Sequence, residues 1–154
     1  MADALKAPAP SLYDTDLYAW SQDQAARLRA HTLSGIDWEH VAEEIESVGE
    51  SERSEIESRL AVLLMHLLKW QFQPSMRSGS WRSTIREQRF RLAKRIRRSP
   101  SLKQYPAEVL DEEYEFVRPK AAEETHLAEE TFPENCPYTI LQVLDPTFLP
   151  GGDA

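Results

Sequence analysis

Residues 38 to 70 read WEHVAEEIESVGESERSEIESRLAVLLMHLLKW, and the spacing of the apolar positions in this stretch decides the fold class. From Trp38 the apolar positions fall at Val41, Ile45 and Val48, then resume in phase at Ile56, Leu60, Leu63, Leu67 and Trp70. Intervals of three and four residues place side chains on one face of an α-helix, whereas a strand would need strict alternation. The phase survives Gly49. Either one helix spans roughly 38–72 with a kink near Gly49, or two helices meet there in register. The first reading is preferred, because a lone glycine inside a helix costs only about 1 kcal/mol. Ser54 with Glu57 has the spacing of a capping box and supports the second.

The same periodicity recurs on both sides. Upstream, Leu17, Trp20, Gln24, Leu28 and His31 outline a helix from about Thr15 to Ala30, broken by Ser34 and Gly35, and Asp37 is placed to cap the next helix. Downstream, Pro74, Ser78, Gly79 and Ser80 form a loop, and Ser80 is read as the cap of a helix with Trp81, Ile85, Leu92 and Ile96 on one face. Ser99 and Pro100 stop it. Pro106 then opens a helix carrying Val109, Leu110, Val117 and Ala121, bent at Pro119. A last short helix over Pro137 to Leu144 ends at Asp145 and Pro146. These readings predict an all-α, single-domain helical bundle of four to five helices, with a long second helix and an irregular C-terminal segment. Residues 1–11, with Pro8 and Pro10, read as a disordered arm, 12–150 as the domain, and 151–154 as a tail.

Composition agrees. The chain has 154 residues, 41% of them hydrophobic and 29% charged, with five glycines, as expected of helices with one apolar stripe each. The lone cysteine, Cys136, excludes an internal disulfide and fits a reducing, cytoplasmic compartment. No apolar run resembles a secretory leader, and Leu60 to Leu68, interrupted by His66, falls far short of the roughly 20 residues needed to cross a bilayer. Charge is segregated. Residues 37–57 hold nine acidic side chains against Arg53, residues 77–98 nine basic ones against Glu87, and residues 108–130 nine acidic against two basic.

The succession Leu12-Tyr13-Asp14-Thr15-Asp16, Trp20, Asp37-Trp38, Glu43-Glu44-Ile45-Glu46, His66-Leu67-Leu68-Lys69-Trp70, Ser80-Trp81, Gln88-Arg89, Pro100-Ser101-Leu102, Phe132-Pro133 and Cys136-Pro137 resembles the bacterial family called domain of unknown function 29. The resemblance runs over about residues 12–150, in order. It implies a helical fold and carries no catalytic role over to any residue. Pro119 departs from the family pattern, in which that helix is uninterrupted.

Four constellations could carry chemistry. His40 with Glu43 or Glu44 has ligand spacing, and bundle metal sites use such groups. His66, however, lies 22 residues beyond Glu44, roughly 33 Å along one continuous helix, so the two do not share a site. No HExxH pattern is present, so no metal and no cofactor is expected. His66, Lys69, Trp70, Trp81 and Arg86 form a candidate groove in which His66 could titrate. The basic 77–98 helix could neutralise phosphates if Arg82, Arg86 and Arg95 point outward unpaired, but the two acidic blocks compete for it. Cys136 becomes a nucleophile only if His66 or His126 approaches it. Arg89 falls on the apolar face of its helix, which predicts a buried guanidinium clamped by Glu115, Glu112 or Glu52.

The expectation from these features is a cytoplasmic interaction or regulatory protein that meets a protein partner, or a second copy of itself, through a helical surface. The alternatives are an enzyme or small-ligand-binding bundle at the His66, Trp70 and Trp81 groove, and nucleic-acid contact through residues 77–98.

Overall fold

The computed structural model describes residues 9–152. All regular structure among them is helical: α1 (Leu12–Thr15), α2 (Leu17–Arg29), α3 (Trp38–Phe72), α4 (Gly79–Arg98), α5 (Tyr105–Thr125) and α6 (Ile140–Leu144), with 3-10 turns at Pro74–Met76, Pro100–Leu102 and Glu129–Thr131. The all-α expectation is met, and none of these helices is long and apolar enough to cross a membrane. The arm expected over residues 1–11 lies outside the described residues up to position 8, as do residues 153–154 of the tail. Two compact units divide the chain, Met1–Gly49 and Glu50–Ala154.

In the first unit, the helix expected from about Thr15 to Ala30 is α2, which starts at Leu17, and the short helix α1 precedes it. Asp16 sits between them with φ −154° and ψ 85°, and its carboxylate accepts from the Ala19 amide, so it ends α1 and caps α2. Ser11 and Asp14 form a capping box at the start of α1. The 30–37 loop turns through Gly35 at φ +77°, where an added Cβ would stand 2.4 Å from the Arg27 guanidinium. That guanidinium donates to the Ser34 carbonyl.

α3 is helical without a break through Gly49, as the preserved phase predicts. In the second unit its face is fully interior: Ile56, Leu60, Leu63, Leu64, Leu67 and Leu68 have no exposed surface. Each fully buried aliphatic side chain of this kind contributes about 1.5–3 kcal/mol. They pack into one cluster with Ile85 and Leu92 of α4, Val109, Tyr114, Val117 and Ala121 of α5, and Phe132 and Val143. α4 is capped by Ser78, whose hydroxyl accepts from the Trp81 amide, so the cap lies two residues before the Ser80 expected from sequence. α5 continues through Pro119. The last helix is shorter than the expected Pro137 to Leu144, because Thr139 and Gln142 form its capping box and fix its start at Ile140.

Candidate functional site

Of the residues proposed for a groove, Trp70 lines a pocket with Arg77, Ser78, Gly79 and Arg82, and the other four lie outside that pocket. His66 is half-buried and donates from Nδ1 to the Val62 carbonyl of its own helix at 2.8 Å, and burial holds its pKa below the usual value. Lys69 and Trp81 do meet: the ammonium stands 4.8 Å from the ring centre and 3.0 Å from Glu124. Trp70 is buried, and faces the guanidinium groups of Arg77 and Arg82 at 5.0 and 5.3 Å. Arg86 is exposed and forms no ion pair among the described residues.

Arg89 is buried, 6% exposed, where the helical wheel places it, but its expected carboxylate clamp is corrected. Nε donates to the Val143 carbonyl at 2.8 Å and Nη2 to the Gln142 carbonyl at 3.3 Å. Those carbonyls belong to the last turn of α6, where a helix leaves acceptors unsatisfied and favours a cation. Glu112 and Glu115 point to solvent. Glu52 takes Arg95 instead, at 2.8 Å, because α3 and α4 bring position 95 rather than 89 beside it. Arg95 also approaches Glu55 at 3.7 Å, so one of the three arginines required to be free for nucleic acid is held within the protein. Arg91 is likewise paired with Glu87.

Cys136 lines a cavity of about 680 Å³ with Asp111, Glu115, Glu129, Glu134 and Tyr114. Its thiol donates to the Tyr138 carbonyl, and burial raises its pKa, so it stays protonated. Neither His66 nor His126 lines that cavity.

A cluster that the sequence did not assemble lies in the first unit. Trp20 and Gln24 are its buried floor. Gln24 donates to the Gly35 carbonyl at 3.1 Å and accepts from the Asp37 amide at 2.8 Å, which fixes the loop ahead of α3. The Asp37 carboxylate caps α3 and accepts from Trp20 Nε1 at 3.1 Å and from His40 Nδ1 at 2.7 Å. That pairing raises the pKa of His40 and lowers that of Asp37. The His40 ring stacks on Tyr13, with centroids 3.8 Å apart and planes 13° from parallel. Tyr13 in turn donates to Glu44 at 2.6 Å, a bond that pushes its pKa up to about 12. His40 and Glu44, read from sequence as possible ligands, therefore face Asp37 and Tyr13. Among the described residues no group of three or more His, Cys, Asp or Glu converges as a metal site would require. The signal available in sequence was the i, i+3 spacing of Asp37 and His40 beside an aromatic-rich first helix.

On the next turns of α3 the apolar stripe is open. Trp38 is 58% exposed, Ile45 67% and Val48 64%. Glu39, Glu43 and Glu46 stand exposed alongside.

These features define an all-helical protein whose buried polar groups cap, clamp and join helices, and whose first unit carries both a stacked aromatic and carboxylate network and an open apolar stripe. The chain belongs to the family described as Domain of unknown function DUF29, whose model matches residues 12–149. No curated protein and no solved structure matches it.

Proposed function

We propose that the protein is a cytoplasmic interaction protein that associates with a second copy of itself through the acid-flanked apolar stripe of α3. The carrying observation is the exposure of Trp38, Ile45 and Val48 on one helical face. Apolar side chains aligned at helical spacing and left in water are what a helix presents to a partner helix. Acidic residues beside the stripe call for a partner whose apolar contact is bordered by Lys and Arg. The chain itself supplies such a face: on α4, Arg82, Arg86, Phe90 and Lys94 follow one another at four-residue spacing, all exposed, with Phe90 62% open. The contact pairs two different surfaces, one from each copy, and is heterologous. The free thiol of Cys136 is in keeping with a reducing compartment.

Sedimentation equilibrium over a concentration series, at low and high salt, tests this. Association that weakens with salt is expected, and Ile45→Glu and Phe90→Glu are each expected to sediment as monomers. Mixing the two variants restores one intact pairing and hence partial association. A wild-type chain that stays monomeric at every concentration, or association untouched by both substitutions, overturns the reading.

A further inference from the structure

Beside Arg89 the surface of the second unit opens into a groove of about 420 Å³ between α4, the start of α5 and α6. Ala93, Ile96, Ala107, Ile140, Leu141 and Leu144 give it apolar walls. Its charged lining is all of one sign, Arg89, Arg97 and Lys103, with no acidic residue. The volume lies in the range of small-molecule pockets, which are mainly apolar with a few placed polar groups.

Arg89 gives the groove its chemistry. It is more than nine-tenths buried, and a guanidinium taken out of water is stabilised chiefly by a carboxylate in fork geometry. Here the Nε and Nη2 donors go to main-chain carbonyls, and Nη1 has no partner among the described residues. Asp145 is the carboxylate whose field reaches Arg89, yet it forms no ion pair with it within 4.0 Å, and its Oδ1 accepts from the Thr147 amide and hydroxyl. The protein thus leaves a buried positive charge without a contacting counter-ion, at the side of an apolar groove with a basic rim.

We infer that this groove is a binding site for an aliphatic carboxylate, a fatty-acid-like amphiphile whose head group pairs with Arg89 and whose chain lies against Ile96, Ala107, Ile140 and Leu144. Arg97 and Lys103 at the rim draw in the anion and exclude cationic amphiphiles of the same length. The site is separate from the α3 stripe and stands without it.

Amide and methyl NMR spectra of the full chain, titrated below micelle-forming concentrations with decanoate, decanol and decyltrimethylammonium, test the assignment. Decanoate is expected to give saturable shifts confined to Arg89, Ala93, Ile96, Ala107 and Leu141, with an affinity at least tenfold above that of decanol. Decyltrimethylammonium is expected to give none there. Arg97→Gln with Lys103→Gln, both at exposed positions, is expected to weaken decanoate about tenfold and leave decanol unchanged. Leu141→Glu, at a residue 81% exposed, is expected to abolish decanoate binding by placing a carboxylate in the groove wall. Equal affinity for decanoate and decanol, shifts scattered over the surface, or saturable shifts with an acidic leucine-containing peptide and none with decanoate would each overturn the inference.

Discussion

Arg89 donates from Nε to the main-chain oxygen of Val143 at 2.8 Å, so a side chain from the middle of α4 closes the last turn of α6. The contact joins residues 54 apart in sequence and anchors the short C-terminal helix to the core. Arg89→Ala removes two charge-assisted bonds to carbonyls, of which the shorter, to Val143, is worth about 1.5–3 kcal/mol and the longer, to Gln142, less. It strands no acid, so the loss is expected to stay below the roughly 3–5 kcal/mol seen when a buried ion pair loses one member. Arg97→Ala, at an exposed position, is expected to cost less than about 1 kcal/mol. Urea melts of the two variants check this, and equal losses would refute the clamp.

The clamp also shows where sequence reading stops. Burial of Arg89 was legible, because Trp81, Ile85, Leu92 and Ile96 share its face at helical spacing. Its partners were not, because every residue carries a carbonyl and nothing in the sequence marks which ones are orphaned at the end of a five-residue helix. The extent of α3 was legible for the same reason as the burial of Arg89. The fate of its two halves was not: periodicity says that Ile45 and Leu63 lie on apolar stripes, and only packing decides that Ile45 is exposed and Leu63 is not. Asp16 hid a helix boundary, since a single capping carboxylate outweighed the propensity of its neighbours.

Gln24 is the second buried polar group with a measurable role. Its two bonds hold the Gly35 carbonyl and the Asp37 amide, one at each end of the turn into α3. Gln24→Leu keeps the volume and leaves both main-chain groups unpaired, at an expected cost of about 2–3 kcal/mol. Hydrogen exchange at the Asp37 amide is expected to accelerate while amides around Leu63 and Leu64 stay protected. Unchanged exchange at Asp37 would show that the loop is held by other means.

Two left-handed residues predict opposite outcomes. His126 ends α5 at φ 57° and is exposed, so His126→Gly relieves a conformation costing about 1 kcal/mol and is expected to stabilise by a similar amount. Gly35→Ala imposes the same strain at φ +77° and pushes against the Arg27 guanidinium, so it is expected to destabilise by about 1 kcal/mol or more. Thermal melts of both variants give the signs.

The Asp37 and His40 pair predicts a pH window for the first unit. His40 has its pKa raised, first by the hydrogen bond to Asp37, so its contribution is full below the unfolded value near 6.5 and is lost as pH rises through the folded value. Asp37 has its pKa lowered, first by the same bond, so its contribution is present above the unfolded value near 3.8 and is lost as pH falls through the folded one. The pairing is therefore strongest between about pH 4 and pH 6.5. Above that range His40 deprotonates, and its neutral Nδ1–H still donates to Asp37, so the bond weakens without vanishing and the stacking on Tyr13 persists. Following the His40 ring protons by NMR is expected to give a midpoint above 6.5 in the wild type and a lower one in Asp37→Asn. Tyr13→Phe removes the bond to Glu44 but keeps the stacked ring, so it is expected to leave that midpoint nearly unmoved. A wild-type midpoint no higher than that of Asp37→Asn would show that the 2.7 Å contact carries no charge-assisted bond in solution.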